Sequence, residues 1–344
     1  MKKKSLNAKK IILKYLNNRQ ILKIYKEFEK SLDTKERYAV GLSGGPDSLA
    51  LAFLSKCFSI INGTNISFFI VDHKLRHGSL MEAKKVMFMV KKYQINCKIL
   101  SWKGIKPKSN IQSIARSNRY SLLTKECKNK KINKLLIGHH MDDLHENFLL
   151  RLLRGSGLKG LISMDKISEH KVNNVEILRP LINIEKNKLK QLSKKVFKNY
   201  VKDPSNDSDN FKRIRLRKLL KKLEIEGLDK KKLQLTIKNL KESNKTINFY
   251  TIKNIKENSV YLKINNRCVL SKNFFEQSKE VIFRSLIDLM KIISLRYYPP
   301  RGKKVNELIL KIRENKLKKT TLGGCLIEKV NETVFISSEK IKKN

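Results

Sequence analysis

The sequence predicts an α/β protein, a parallel β-sheet with helices on both faces, followed by a small α+β domain. Three observations carry this expectation. Four short β-prone runs are bounded by turn residues, a segment of helical period separates each run from the next, and the most distinctive motifs fall where the runs end. Ligands of such sheets bind beyond the carboxyl ends of the strands, so those motifs mark the candidate site.

The runs are "YAVGLS" (Tyr38 to Ser43), "ISFFIVD" (Ile66 to Asp72), "CKILSW" (Cys97 to Trp102) and "KLLIGHH" (Lys134 to His140). Between them, "SLALAFLSKCF", "SLMEAKKVMFMVKKY" and "SIARSNRYSLLTKEC" repeat apolar residues every three to four positions, the period of a helix with one buried face. Past "VEILRPLINIEKNKLKQL" the pattern turns helical, and "SNDSDNFKRIRLRKLLKKLEIEGL" (Ser205 to Leu228) reads as a basic connecting helix. This places a boundary near residue 225, with domains over 1–225 and 226–344. The second combines a strand-like "SVYLKI", two helices and a terminal hairpin, "TTLGGCLIEKVNETVFIS".

Charge and cysteine usage narrow the class. The 344 residues hold 77 Lys and Arg against 31 Asp and Glu, a net charge of +46, which attracts polyanions and makes nucleic acid the first partner to consider. Only 16 of the basic residues are Arg, so the Lys bias of an AT-rich genome competes with that reading. Five cysteines without a CxxC fit a reducing cytoplasm rather than a disulfide framework or a zinc site. "MKKKSLNAKKIILKYLNNRQ" lacks the apolar core of a signal peptide and reads as a basic amphipathic helix. No run approaches the about 18 apolar residues that cross a bilayer, so no membrane partner is expected.

"LSGGPDSLALAFL" (Leu42 to Leu54) holds the most specific chemistry. A strand ending at Leu42 and a helix starting at Pro46 leave Ser43, Gly44 and Gly45 in the turn, where glycines let backbone N–H groups converge on an anion. Pro46 suits a first helical turn, Asp47 and Ser48 add a carboxylate and a hydroxyl beside the cradle, and a carboxylate at that distance can hold the magnesium ion that a phosphate brings. A tight turn capped by Ser43 is the plainer alternative. Downstream, His139 and His140 end a strand, and Asp142, Asp143 and Glu146 open a helix whose positive end favours acids. His139 and Asp143 lack a third ligand for zinc. "GSGLKG" (Gly155 to Gly160) follows a helical run, not a strand, which argues against dinucleotide binding.

Ser43 to Ser48 resembles the SGGxDS pyrophosphate loop of the N-type ATP pyrophosphatases, whose fold is adenine-nucleotide alpha hydrolase-like. In order along the chain, "VDHKLRHGSLMEA", "IARSNRYSLL", "GHHMDDLHENFLLRLLRGSGLKGL", "RPLI", "DPSN" and "TLGGC" are similar to motifs of the tRNA(Ile)-lysidine synthetase family. Leu144, His145 and Asn147 depart from that family's usual Gln, Ala and Thr, and Val201 from an aromatic. The resemblance implies ATP-dependent ligation of lysine to C2 of the wobble cytidine of tRNA(Ile) with a CAU anticodon, through an adenylated cytidine, so that the anticodon reads AUA instead of AUG.

It implies roles for residues as well. Ser43, Gly44, Gly45, Pro46, Asp47, Ser48, Asp72, His73 and Gly138 would bind ATP, Asp47 and Asp143 would hold Mg2+, and Asp47, Asp143 and Arg116 would act in catalysis. Arg151, Arg154, Arg179, Arg213 and Arg217 are candidates for the tRNA backbone, since eight of the 16 Arg fall between 116 and 217 in a chain that otherwise prefers Lys. Tyr297, Tyr298 and Arg301 are candidates for a second grip on tRNA in the C-terminal domain. Free lysine and tRNA(Ile) are the expected partners, with a homodimer left open. Two rivals remain: a thiolating enzyme with the same loop, which would need paired cysteines, and a noncatalytic RNA-binding protein, which leaves the loop unexplained.

Overall fold

The computed structural model describes residues 9–75, 78–104, 109, 111–170, 174–201, 212–296 and 300–339. Arg76 and His77 of the second motif, the DPSN motif (Asp203 to Asn206), Tyr297, Tyr298 and the side chain of Arg213 lie outside them. The chain divides into two units, residues 1–234 and 235–344.

All four expected strands form in the first unit: β1 (Tyr38–Leu42), β2 (Ile66–Asp72), β3 (Cys97–Ser101) and β4 (Lys134–Leu136). Two further short strands, β5 (Ile167–His170) and β6 (Val175–Leu178), complete the order β3-β2-β1-β4-β6-β5. Five strands are parallel and β5 runs antiparallel at the edge. The described helices of this unit include α1 (Arg19–Glu29), α2 (Pro46–Asn62), α3 (Ser79–Lys91), α4 (Ile111–Asn129), α5 (Met141–Leu152), α6 (Lys186–Phe197) and α7 (Lys212–Ile225), with one turn at Leu158–Leu161. A strand sends alternate side chains to opposite faces, and β1 does so here. Tyr38, Val40 and Leu42 join the core beneath α2, α3 and α6, whereas Ala39 joins Leu123 and Cys127 of α4 on the other face. Helices therefore cover both faces, as the sequence predicts.

From β1 the chain builds outward through β2 to β3 and then returns to the opposite side of β1 as β4. Strand order reverses between β1 and β4, and a crevice at such a reversal is where open α/β sheets bind ligands. Tyr38 pairs with Lys134 and Val40 with Leu136, so both strands deliver the chain to the same end of the sheet.

The second unit carries its own core and a five-stranded antiparallel sheet. Its strands are β7 (Ser259–Leu262), β8 (Arg267–Leu270), β9 (Lys319–Leu322), β10 (Cys325–Val330) and β11 (Thr333–Ser338), in the order β7-β8-β11-β10-β9. The expected terminal hairpin is thus part of a three-stranded meander. A long helix, α8 (Lys230–Asn258), begins before the unit boundary, and α9 (Lys279–Ser294) and α10 (Gly302–Arg313) pack Leu286, Leu289, Leu308 and Ile312 against the sheet.

Candidate active site

The turn between β1 and α2 is shaped by its glycines and by its neighbours. Gly44 has φ +82°, and a Cβ there would come within 2.4 Å of Val86 Cγ2, so a side chain is excluded on conformational and steric grounds. Its carbonyl accepts the Val201 N–H at 3.0 Å. The Ser43 N–H donates to Ser48 Oγ at 3.1 Å, and Ser48 Oγ donates to the Gly45 carbonyl at 2.9 Å. Gly45 is the N-cap, Pro46 occupies the first helical turn, and Ser193 Oγ donates to the Pro46 carbonyl.

Across the crevice, Gly138 lets the end of β4 press on this loop. A Cβ there would stand 3.1 Å from the Asp47 carbonyl oxygen and 3.2 Å from Ser48 N. That approach brings His140 to Asp47: the imidazole Nε2 lies 3.4 Å from Asp47 Oδ2 and 3.4 Å from Asp143 Oδ2. The two carboxylate oxygens are therefore separated by at most twice that distance. His140 also closes a reciprocal cap on α5, accepting the Asp143 N–H at Nδ1 (3.3 Å) while its own N–H donates to Asp143 Oδ2 (3.1 Å). A ring whose Nδ1 accepts carries its proton on Nε2, the atom that faces both acids. Burial opposes charging of this ring, but the Asp47 hydrogen bond and the charges of Asp143 and Asp47 outweigh it and hold the His140 pKa above the ordinary value. Asp47 Oδ1 is buried without a partner.

Neighbouring acids have different fates. Asp142 Oδ2 accepts the Lys186 N–H at the start of α6 (2.9 Å), and Oδ1 lies 3.3 Å from Lys230 Nζ. Burial works against its ionisation, yet these partners hold its pKa below the ordinary value. Glu146, 5% exposed, is paired with Arg217, whose Nε and Nη2 donate to its Oε1 (2.5 Å) and Oε2 (3.3 Å). Burial disfavours the Arg217 charge, but the Glu146 hydrogen bond and the charges of Glu146, Asp143 and Asp47 hold its pKa above the ordinary value.

On the β2 side, Asp72 is 2% exposed, and its Oδ1 accepts from Lys74 N–H (3.0 Å) and Ser79 Oγ (2.7 Å) while Oδ2 is buried without a partner. Burial, with the Arg119 charge nearby, pushes the His73 pKa down, so the ring is neutral with Nδ1 unpartnered. Arg116 donates to the Tyr120 hydroxyl at 3.3 Å, and its guanidinium carbon lies 5.3 Å from the Tyr120 ring centre.

The crevice thus gathers the Ser43–Ser48 loop, Gly138, His140 and Asp143, with Glu146 and Arg217 beside them. Two residues expected to hold the tRNA backbone are placed otherwise. Arg179 is 8% exposed and donates to His139 Nδ1 (3.0 Å) and the Asp165 carbonyl (2.8 Å), so it supports the strand end rather than an RNA surface. Arg217 faces the acids. Arg151 and Arg154 stand at the carboxyl end of α5, half-buried and exposed. His140 and Glu146 were not among the sequence-based site residues; the His-His pair at a strand end was the available signal for the first.

Residues 14–224 match the model of the PP-loop domain family. The chain is 34% identical over 322 residues to the tRNA(Ile)-lysidine synthase of Orientia tsutsugamushi (strain Boryong), covering 90% of this chain and 71% of that one. It is 33% identical over 310 residues to the tRNA(Ile)-lysidine synthase of Wolbachia sp. subsp. Brugia malayi (strain TRS), covering 89% and 71%. Among solved structures, a U34-tRNA thiolase from Methanococcus maripaludis with its 4Fe-4S cluster superposes with a TM-score of 0.55 at 21% identity, covering 65% of this chain and 78% of that one. That likeness is one of fold. Burial pushes the thiols of Cys57, Cys97 and Cys127 up to about 12, the opposite of what a sulfur-transferring thiolate needs.

Proposed function

The chain belongs to the PP-loop domain family and, within it, to the tRNA(Ile)-lysidine synthases, and from that premise we propose that it joins lysine to C2 of the wobble cytidine of tRNA(Ile) bearing a CAU anticodon, with ATP converted to AMP and diphosphate. The observation that carries the site assignment is the convergence of Asp47, from the β1 loop, and Asp143, from the β4 helix, on the single imidazole of His140 at the strand-order reversal.

In this reading the backbone N–H groups of the Ser43–Ser48 turn and the N-terminus of α2 take the β- and γ-phosphates of ATP. The unpartnered Oδ1 of Asp47 beside a second carboxylate fits a magnesium ion, which takes one or two carboxylates together with substrate phosphates. Asp47 and Asp143 would hold it, and it would neutralise charge on the departing diphosphate. Asp72 and His73, at the end of β2, line the nucleotide side.

Cytidine O2 attacks the α-phosphorus, diphosphate leaves, and C2 becomes electrophilic. The ε-amine of lysine then attacks C2, loses its proton and displaces AMP, which departs with the former O2. Asp142 and Glu146 are engaged by Lys230 and Arg217, which leaves Asp47 and Asp143 as the carboxylates that serve the metal and the amine proton, while Arg217, half-exposed beside Glu146, offers a guanidinium to the α-carboxylate of the amino acid. Arg151 and Arg154, at the carboxyl end of α5, would meet RNA phosphates, and the second unit would supply a further grip.

The test is incorporation of labelled lysine into a CAU-anticodon tRNA(Ile) by the purified protein with ATP and Mg2+. Incorporation coupled to AMP release is expected. Folded protein that binds the tRNA without incorporating lysine would refute the assignment.

A further inference from the structure

On the reading that tRNA is the substrate, we infer that the outer face of α3, together with the turn after α6, is a second RNA contact, which stacks an unpaired base of the tRNA on Phe88 and holds the flanking phosphates. α3 has two faces. Ala83, Val86 and Val90 are buried in the core, whereas Met81, Lys84, Lys85, Phe88 and Lys92 recur at helical spacing on the opposite side, all exposed. Phe88 is 69% exposed and Met81 58%, an unusual pair to leave in water on one helix face.

Phe88 stands between two hollows. The larger, of about 700 Å3, has the size of nucleotide-scale sites, and the smaller is about 220 Å3. The rings of Tyr15, Tyr93 and Phe197 line the larger one, Tyr93 and Phe197 meeting edge-on at 4.8 Å. Lys84, Lys85, Lys92 and Lys198 surround it, and among the described residues no Asp or Glu lines it. Lysines alone would decide little in a chain with 77 Lys and Arg. What selects the ligand is an exposed ring inside an ammonium rim: a nucleotide offers both a π-face and a phosphate, whereas an acidic peptide would use only the rim. Lys198 is held at φ +64°, a conformation that L residues rarely adopt, at the point where the chain turns along this groove.

The groove and the phosphate loop share their walls. Val86, on the inner face of α3, is the residue that leaves Gly44 no room for a Cβ, and Val201, just past the Val196–Asn199 wall, donates its N–H to the Gly44 carbonyl. The groove and the loop therefore lie on opposite faces of α3, the loop against Val86 and the groove against Phe88.

The experiment measures affinity of the full-length protein for a CAU-anticodon tRNA(Ile) transcript across a salt series, with wild-type lysine incorporation run in parallel. Phe88→Ala is expected to weaken binding about tenfold and Phe88→Tyr to retain it, because the stacking surface is kept. The pair Lys84→Gln and Lys85→Gln is expected to lower the slope of log affinity against log salt by about 0.7 per lysine. Phe88→Ala affinity equal to wild type, or equal losses for Phe88→Ala and Phe88→Tyr, would overturn the inference, the former pointing to an acidic protein as the occupant. Loss of lysine incorporation in the wild type would instead strike the proposed reaction, and the affinities would still decide the groove.

Discussion

Asp47 and Asp142 are both carboxylates near a helix N-terminus, and their surroundings give them opposite uses. Asp142 is held by the Lys186 N–H and Lys230, while Asp47 keeps a buried oxygen without a partner beside Asp143. Asp47→Asn is therefore expected to abolish lysine incorporation, by about a thousandfold or more, and to leave tRNA affinity nearly intact; a parallel fall in affinity would contradict a role confined to the nucleotide. His145 shows what sequence patterning conceals: it is 1% exposed, and both ring nitrogens are buried without partners. Burial outweighs the Asp142 and Glu224 carboxylates and, with Lys230, holds its pKa below the ordinary value. The stability it contributes is thus present above the ordinary value of about 6.5 and is lost as pH falls through the depressed one. His140, whose pKa is raised, behaves in the reverse sense: its contribution is present below the ordinary value and is lost as pH rises through the raised one. Replacing His145 by Leu is expected to flatten the acid limb, so that the variant loses less melting temperature than wild type between about pH 7 and pH 5. Identical pH profiles of the two proteins would count against a buried, chargeable ring.

Among the elements, β4 and α2 carry the site because Gly138 lets them touch. A methyl group at Gly138 meets backbone atoms of Asp47 and Ser48, not a flexible side chain, so the loop must shift to admit it. Gly138→Ala is expected to cost about 1–3 kcal/mol in stability and to raise KM for ATP more than KM for lysine; unchanged ATP kinetics would show that the contact does not position the loop. The elements differ in how clearly the sequence announces them. β1 to β4 are bounded by turn residues and separated by amphipathic helices. β5 and β6 are only four residues each, and their pairing with each other and with β4, rather than any local signal, makes them strands. α8 hides for another reason. Its packed face carries Asn244, Asn248, Thr251 and Asn254, which bond Arg284 and Ser285 through side chain or carbonyl, so the apolar period fades where the helix is best held.

Across the whole molecule, the division falls at 234/235, nine residues beyond the composition change near 225 on which a sequence-based boundary rests. The second unit's core of Cys268, Leu270, Leu286, Ile309 and Ile336 shares no residue with the first unit's two clusters. Residues 230–344 expressed by themselves are accordingly expected to melt in one cooperative transition, observable by circular dichroism, and a gradual loss of signal would show that the unit depends on the first. The sequence alone determined the class of sheet, the phosphate turn and the ordered motifs, because each rests on local pattern: periodicity, turn chemistry and residues adjacent in the chain. Only the tertiary structure decided which charged side chains meet. Arg179 and Arg217 look alike in sequence, yet one is buried against His139 and the other clasps Glu146 at the crevice. Such partnerships join residues 40 and 71 positions apart, and they exist only once strand order has brought distant segments to one end of the sheet.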